Sequence, residues 1–211
     1  MKIRYNAPVI LTFSLVCTAV FVVSQILPKN DFLIPFFSVP GNSPPFQFLS
    51  LHALNLVSYI FGHWDWPHLI GNLSIILLAG PILEEKYGSG RIFVMILFTA
   101  IVTGMVNVLF LPKGSLGASG IAFMLILLIS VTNVKKGEIP LTLFAIVAIF
   151  VTKEIFQMFD PNNNVNELAH LIGGFCGGLF GFIFAREKKI KDKGQNKPDM
   201  YVPPAGPGTI S

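Results

Sequence analysis

Hydrophobic residues run through this chain in long blocks, separated by short clusters of charge, proline and glycine. The first block, Pro8 to Leu27, follows Lys2 and Arg4 and has the ~20 residues that a membrane-spanning helix needs. A cleaved signal peptide has a shorter apolar core ending in small residues, whereas this block ends at Gln25-Ile26-Leu27-Pro28-Lys29, so it reads as a retained helix. Residues 28–65 form a loop rich in proline and aromatics. Within it Phe48 to Phe61 is apolar and helical by pattern but too short to span, a segment expected to lie in the membrane interface. The second block runs from Pro67, a favourable first-turn residue, to Leu83, and the cluster Glu84-Glu85-Lys86-Tyr87-Gly88 ends it.

The third block covers Ile92 to Leu111 and the fourth Gly117 to Val134. The fifth starts at Pro140 and continues, less apolar, through Lys153-Glu154 to Phe159. Asp160-Pro161-Asn162-Asn163-Asn164 breaks the pattern before the sixth, Asn166 to Ala185. There is no internal repeat. The pattern predicts an all-α polytopic membrane protein, a bundle of six transmembrane helices over residues 8–185. Residues 1–7 precede it, and the tail 186–211, lysine-rich and then rich in proline and glycine, is expected to be disordered.

Composition agrees: 53% of the 211 residues are hydrophobic and 12% charged, against about 25% charged in a soluble domain. The distribution of cations orients the bundle. With both termini cytoplasmic, the inner segments hold Lys2, Arg4, Lys86, Arg91, Lys135, Lys136 and the lysines and arginine of the tail, and the outer ones only Lys29, Lys113 and Lys153. The second, fourth and sixth helices then all enter from the extracytoplasmic side. Cys17 and Cys176 lie inside apolar blocks and read as packing residues. No nucleotide, phosphate or zinc motif appears, so no cofactor, metal or nucleic-acid partner is expected; the lipid bilayer is the implied surrounding.

Against this background the few polar groups inside helices stand out. The second helix opens with His63-Trp64-Asp65-Trp66-Pro67-His68, and His68 and Asn72, four apart, share one face. The fourth carries Ser119 in Gly117-Ala118-Ser119-Gly120, and the sixth carries His170 in Ala169-His170-Leu171-Ile172-Gly173-Gly174. Three helices running the same way thus bring His, Asn, Ser and His to similar depth, where ionisable groups are costly and usually functional. A hydroxyl becomes a nucleophile beside a base, for which His170 is the candidate. His68, Asn72 and the Ser119 backbone N–H, at a helix start, suit a developing oxyanion. Gly174 and Gly178 continue the face of His170 and are expected to let the fourth helix approach closely. Water is expected to enter from outside through a cavity edged by His63, His68 and Asn72.

These three motifs, in this order on the second, fourth and sixth of six helices, resemble the rhomboid family of intramembrane serine proteases, over roughly residues 8–185. The resemblance implies a Ser119–His170 dyad without a third carboxylate, and His68 and Asn72 as oxyanion-hole side chains. His63 would support them from above, and transmembrane protein segments, cut near their extracytoplasmic ends, would be the substrates. It also singles out Gly117, Gly120, Gly173 and Gly174 as supporting residues and implies a location in the cell membrane. Many bacterial relatives carry a tyrosine four residues after the nucleophile, packed on the histidine; here Phe123 keeps the ring without the hydroxyl. The Trp-Arg pair often found in the family's first loop is not evident between Pro28 and Asp65. The likeness is to the minimal bacterial form, with six helices and no added amino-terminal domain.

Other polar or aromatic positions have plainer readings. His52 is an interfacial side chain, Asn107 an interhelical hydrogen-bonding group, and Lys153-Glu154 a pair at the outer headgroups. Phe144, Phe150, Phe156 and Phe159 are lipid-facing or packing residues, and the weak outer end of the fifth helix is a possible lateral entry for substrate. A catalytically silent relative that captures membrane clients, and a small transporter, remain as other classes. The chain keeps both Ser119 and His170, and it lacks the internal symmetry common in transporters.

Overall fold

The computed structural model describes residues 5–42, 52–132 and 167–195, with isolated positions between 141 and 152. The described residues form α1 (Pro8–Ile26), α2 (Lys29–Phe37), α3 (His52–Ser58), a 3-10 turn (Tyr59–Phe61), α4 (Trp66–Tyr87), α5 (Ser89–Phe110), α6 (Ser119–Thr132) and α7 (Glu167–Gln195). Three of these, α1, α4 and α5, are long and apolar enough to cross a membrane, and α6 and α7 hold shorter apolar stretches, Ser119–Val131 and Leu168–Phe184. The predicted fifth span, with Lys153-Glu154, most of its phenylalanines and the entry route beside it, lies largely outside the described residues. So do residues 48–51 of the segment predicted from Phe48 and the last part of the tail. The helix predicted to stop at Ala185 continues to Gln195.

Around an apolar core the helices also present large apolar side chains outward and bury several polar ones. Leu15, Ile26, Leu78, Phe93, Phe110 and Phe175 are exposed, whereas Asn72, Glu84, Thr99, Thr103, Asn107 and His170 are buried. Lipid is as apolar as leucine, so burying an apolar face gains little, and close packing and polar pairing decide which face turns inward. Thr99, Thr103 and Asn107, at four-residue spacing, put one such polar face on α5.

Two close approaches hold the bundle. In the first, α4 meets α1. Glu84 is 3% exposed, and its Oε1 and Oε2 accept from the Val9 and Ile10 N–H groups, each at 3.0 Å. Those are first-turn donors that α1 itself leaves unpaired, and a carboxylate there also meets the positive end of the helix dipole. The charge pattern places Glu84 in a terminating cluster, but α4 runs through it to Tyr87 and stops at Gly88, whose φ is +84°. One turn earlier a side chain on Gly80 would stand 2.7 Å from Ile10 Cδ1.

In the second, α6 lies against α7 backbone to backbone. A Cβ on Gly173 would overlap the Gly120 carbonyl, and one on Gly177 the Met124 carbonyl. One on Gly181 would come within 2.7 Å of Val131 Cγ1. The contact stripe is therefore Gly173, Gly177 and Gly181, not the Gly174–Gly178 row expected from the sequence. Gly174 has only ordinary contact with Leu127, at 3.6 Å, and no atom lies within 4 Å of a Cβ at Gly178.

The loop after α1 is more structured than its prolines suggest. Lys29–Phe37 is helical although Pro35 in its last turn removes one i→i−4 hydrogen bond. The buried Asn55 side chain donates to the carbonyls of Pro35 (3.0 Å) and Ser38 (2.9 Å), fastening α3 to the end of α2. Beyond α2, Val39 pairs with Ser115 in an isolated antiparallel bridge, with both N–H···O distances 2.9 Å. A Cβ on Gly41 would overlap the Pro112 carbonyl.

The glycine faces differ in what they tolerate. Gly177→Val is expected to destabilise the folded protein by about 1–3 kcal/mol through overpacking, and Gly178→Val to leave thermal stability in detergent near wild type. Equal unfolding midpoints for the two variants would refute the assignment of the contact face.

Candidate active site

The site begins with a helix cap. Asp65 precedes α4 in extended conformation, and its Oδ1 accepts the His68 N–H at 2.8 Å. This fixes the start of α4 and so the height of His68 and Asn72, which follow on one face of its first two turns. His63 comes just before, and its ring is fully buried.

The hydrogen bonds of His63 determine its tautomer. Nδ1 lies 3.3 Å from the Phe61 carbonyl and Nε2 lies 3.1 Å from Asn72 Nδ2. A carbonyl only accepts and an amide nitrogen only donates, so Nδ1 carries the proton and Nε2 receives the Asn72 N–H. A neutral imidazole fits both roles. Burial and, secondarily, the neighbouring His68 push its pKa down, to about 4. The buried His63 lies directly against Asn72. The half-buried His68 meets it edge to face, ring centroids 4.9 Å apart.

The segment carrying Ser119 closes over this group. Gly117 has φ +130°, a region that favours glycine, and a Cβ there would stand 2.6 Å from His68 Nε2. Its N–H donates to the Tyr59 carbonyl at 2.9 Å. For this reason α6 does not start at Gly117, as its apolar pattern suggests, but at Ser119. The Ser119 N–H is thus among the first-turn donors that the helix itself does not satisfy.

On the other side of Ser119 stands α7. A Cβ on Gly120 would be 3.4 Å from the Ala169 carbonyl oxygen. The buried His170 ring stacks on Phe123, with centroids 4.5 Å apart and planes 9° apart. Ser119 and Phe123 are one turn apart on one face of α6, so the imidazole lies on the face that Ser119 shares. His63, His68, Asn72 and Gly117 form one packed group, and Gly120, Phe123, His170 and Gly173 lie together between α6 and α7. The segment Gly117-Ala118-Ser119 joins them. Gly174 stands apart, facing Leu127.

Sequence reading passed over two contributors. Asp65 was detectable as a capping residue ahead of an apolar block. The Tyr59 carbonyl, being backbone, leaves no trace in the residue pattern. Asn107, expected to bond across helices, donates from its Nδ2 to two loop carbonyls, Pro40 at 3.0 Å and Lys113 at 3.2 Å. Among the described residues no cluster of His, Cys, Asp and Glu could hold a metal ion.

The profile of the Rhomboid domain matches residues 50–187. The chain is 25% identical to Rhomboid-like protein 11, chloroplastic, of Arabidopsis thaliana, over 72% of this chain and 60% of that protein. It is 27% identical to Rhomboid protease GlpG of Serratia proteamaculans, over 86% of this chain and 64% of the relative. Rhomboid-related protein 1 of Caenorhabditis elegans is 28% identical over 62% of this chain and 40% of its own length. The chain thus spans less than two thirds of the length of these relatives.

Two outcomes are expected at this site. Folding keeps His63 neutral, while the unfolded chain binds its proton near the ordinary value of 6.5. The stability it contributes is complete above about pH 6.5 and falls as pH drops toward its lowered pKa. The unfolding midpoint should therefore fall from pH 7 to pH 5, and fall less in His63→Gln; parallel curves would exclude His63 as the source. Gly117→Ala, strained at φ +130° and driven into His68, should lower the unfolding midpoint, whereas Gly71→Ala, with open space around it, should not.

Proposed function

We propose that this chain, which belongs to the rhomboid family, is an intramembrane serine endopeptidase with Ser119 as nucleophile and His170 as general base. The observation that carries this reading is the stacking of His170 on Phe123 one turn from Ser119, with Gly120 against Ala169. His170 takes the Ser119 hydroxyl proton as Oγ attacks a scissile carbonyl carbon. As the tetrahedral intermediate collapses, the C–N bond breaks and His170 returns that proton to the leaving amine. Water, deprotonated in turn by His170, then hydrolyses the acyl-enzyme ester and regenerates Ser119.

The developing oxyanion needs donors that are already oriented. One N–H of the Asn72 amide is committed to His63 Nε2, which sets the amide plane and leaves the second N–H to be offered to the oxyanion. His68 and the Ser119 backbone N–H complete the set. No carboxylate is required, because the ring of Phe123 orients the histidine by packing.

The substrates are transmembrane segments of other membrane proteins. A peptide helix in lipid has its carbonyls internally bonded, so it must unwind where protein or water satisfies the freed groups. Ser119 starts its helix rather than lying midway along it, so the cut falls near one end of the substrate span. The asymmetry of the cations makes that end extracytoplasmic, with both termini of a protein of the cell membrane inside.

Ser119→Ala and His170→Ala should each abolish cleavage of a model single-span substrate while the folded protein remains in the membrane. Asn72→Ala should lose about 10²–10³ in kcat with KM little changed. Turnover by Ser119→Ala would overturn the mechanism, and an Asn72→Ala effect confined to KM would make Asn72 a substrate-binding residue.

A further inference from the structure

Asn107 lies in the last turn of α5, 1% exposed, and does two things at once. Its backbone carbonyl accepts the Leu111 N–H at 3.0 Å, closing the helix. Its side-chain Nδ2 reaches past that end to the carbonyls of Lys113 and Pro40. Lys113 belongs to the segment 111–118 that delivers Ser119; Pro40 belongs to the strand-like stretch paired with it. The same two stretches are joined by the Val39–Ser115 bridge and by the Asn42 N–H donating to the Leu111 carbonyl at 2.8 Å. Further along, Gly117 is held by the Tyr59 carbonyl. Among the described residues, the Asn107 amide adds a side-chain clamp to these backbone pairings.

We infer that Asn107 is a positioning residue for the nucleophile. By holding the Lys113 and Pro40 carbonyls in one place it fixes the segment 111–118, and with it the distance of Ser119 Oγ from the base and from the oxyanion donors. The inference rests on the reading of Ser119 as nucleophile. Asn107 touches neither substrate nor the reacting atoms; it acts through the loop. A displacement of about 1 Å at a reacting group lowers rate by up to about 10²-fold, and two carbonyls released from a buried amide permit a shift of that size.

The test measures the rate at which a small fluorophosphonate labels the intact protein in detergent, alongside kcat and KM on a single-span substrate. Asn107→Leu keeps the volume and removes both donors. It should slow labelling and kcat in parallel by about 10- to 10²-fold, with KM within about twofold of wild type, per folded molecule as counted by circular dichroism and monodisperse elution. Asn107→Gln, which keeps both donors on a longer arm, should fold as wild type and recover part of the labelling rate, so it carries the test if the leucine variant does not fold. Wild-type labelling by Asn107→Leu, or no advantage of Gln over Leu, would overturn the clamp alone. Wild-type protein that does not label, or Ser119→Ala that still does, would overturn the nucleophile and the clamp with it.

Discussion

The structure depends most on the contact in which α6 and α7 touch through their backbones. At Gly173 and Gly177 there is no room for even a methyl group between the helices. In lipid, such intimacy is what drives association, because dispersion contacts between close backbones replace the missing hydrophobic gain. The same contact sets the height of His170 against Ser119. Two side chains carried on separate helices keep their register only if the helices cannot slide. Glycines that interlock with opposing carbonyls forbid sliding in a way that a smooth leucine interface would not.

Around that axis the polar groups support one another in sequence. Phe61 orients His63, His63 orients Asn72, Asp65 sets the start of α4, and Tyr59 holds Gly117. Backbone carbonyls from the loops thus serve as acceptors throughout this group. A membrane environment favours this choice, since a carbonyl carries no charge to bury and is present wherever the chain leaves a helix. Non-helical backbone at depth is tolerated because it is enclosed by protein.

The long apolar helices α1, α4 and α5 and the burial of Asn72 and His170 were readable because each rests on a coarse signal. Blocks of ~20 apolar residues mark helices, and polar side chains inside them are too costly to be accidental. What escaped reading depends on finer geometry. From His170, the rows through Gly173 and Gly174 differ by one residue, and only the crossing of α6 and α7 decides which one meets the partner. Proline obscured α2, because Pro35 reads as a breaker although it falls where the helix is already ending. His63 was singled out, but the bonds to Phe61 and Asn72 that accompany its burial leave no trace in the residue pattern. Asn107 was noticed, but a side chain that reaches beyond its own helix to loop carbonyls has no periodicity to betray it.

The carboxylate that closes the start of α1 also constrains the order of biogenesis. Its acceptor atoms arrive 75 and 74 residues after the amides they satisfy. A chain made from its amino terminus therefore inserts α1 with those amides still dependent on water or headgroups at the membrane surface. Only when α4 has entered can Glu84 replace that hydration and draw Val9 and Ile10 into the protein. The first helix to be synthesised is thus not the first to be finished, and its final depth is settled by a residue the ribosome has yet to reach.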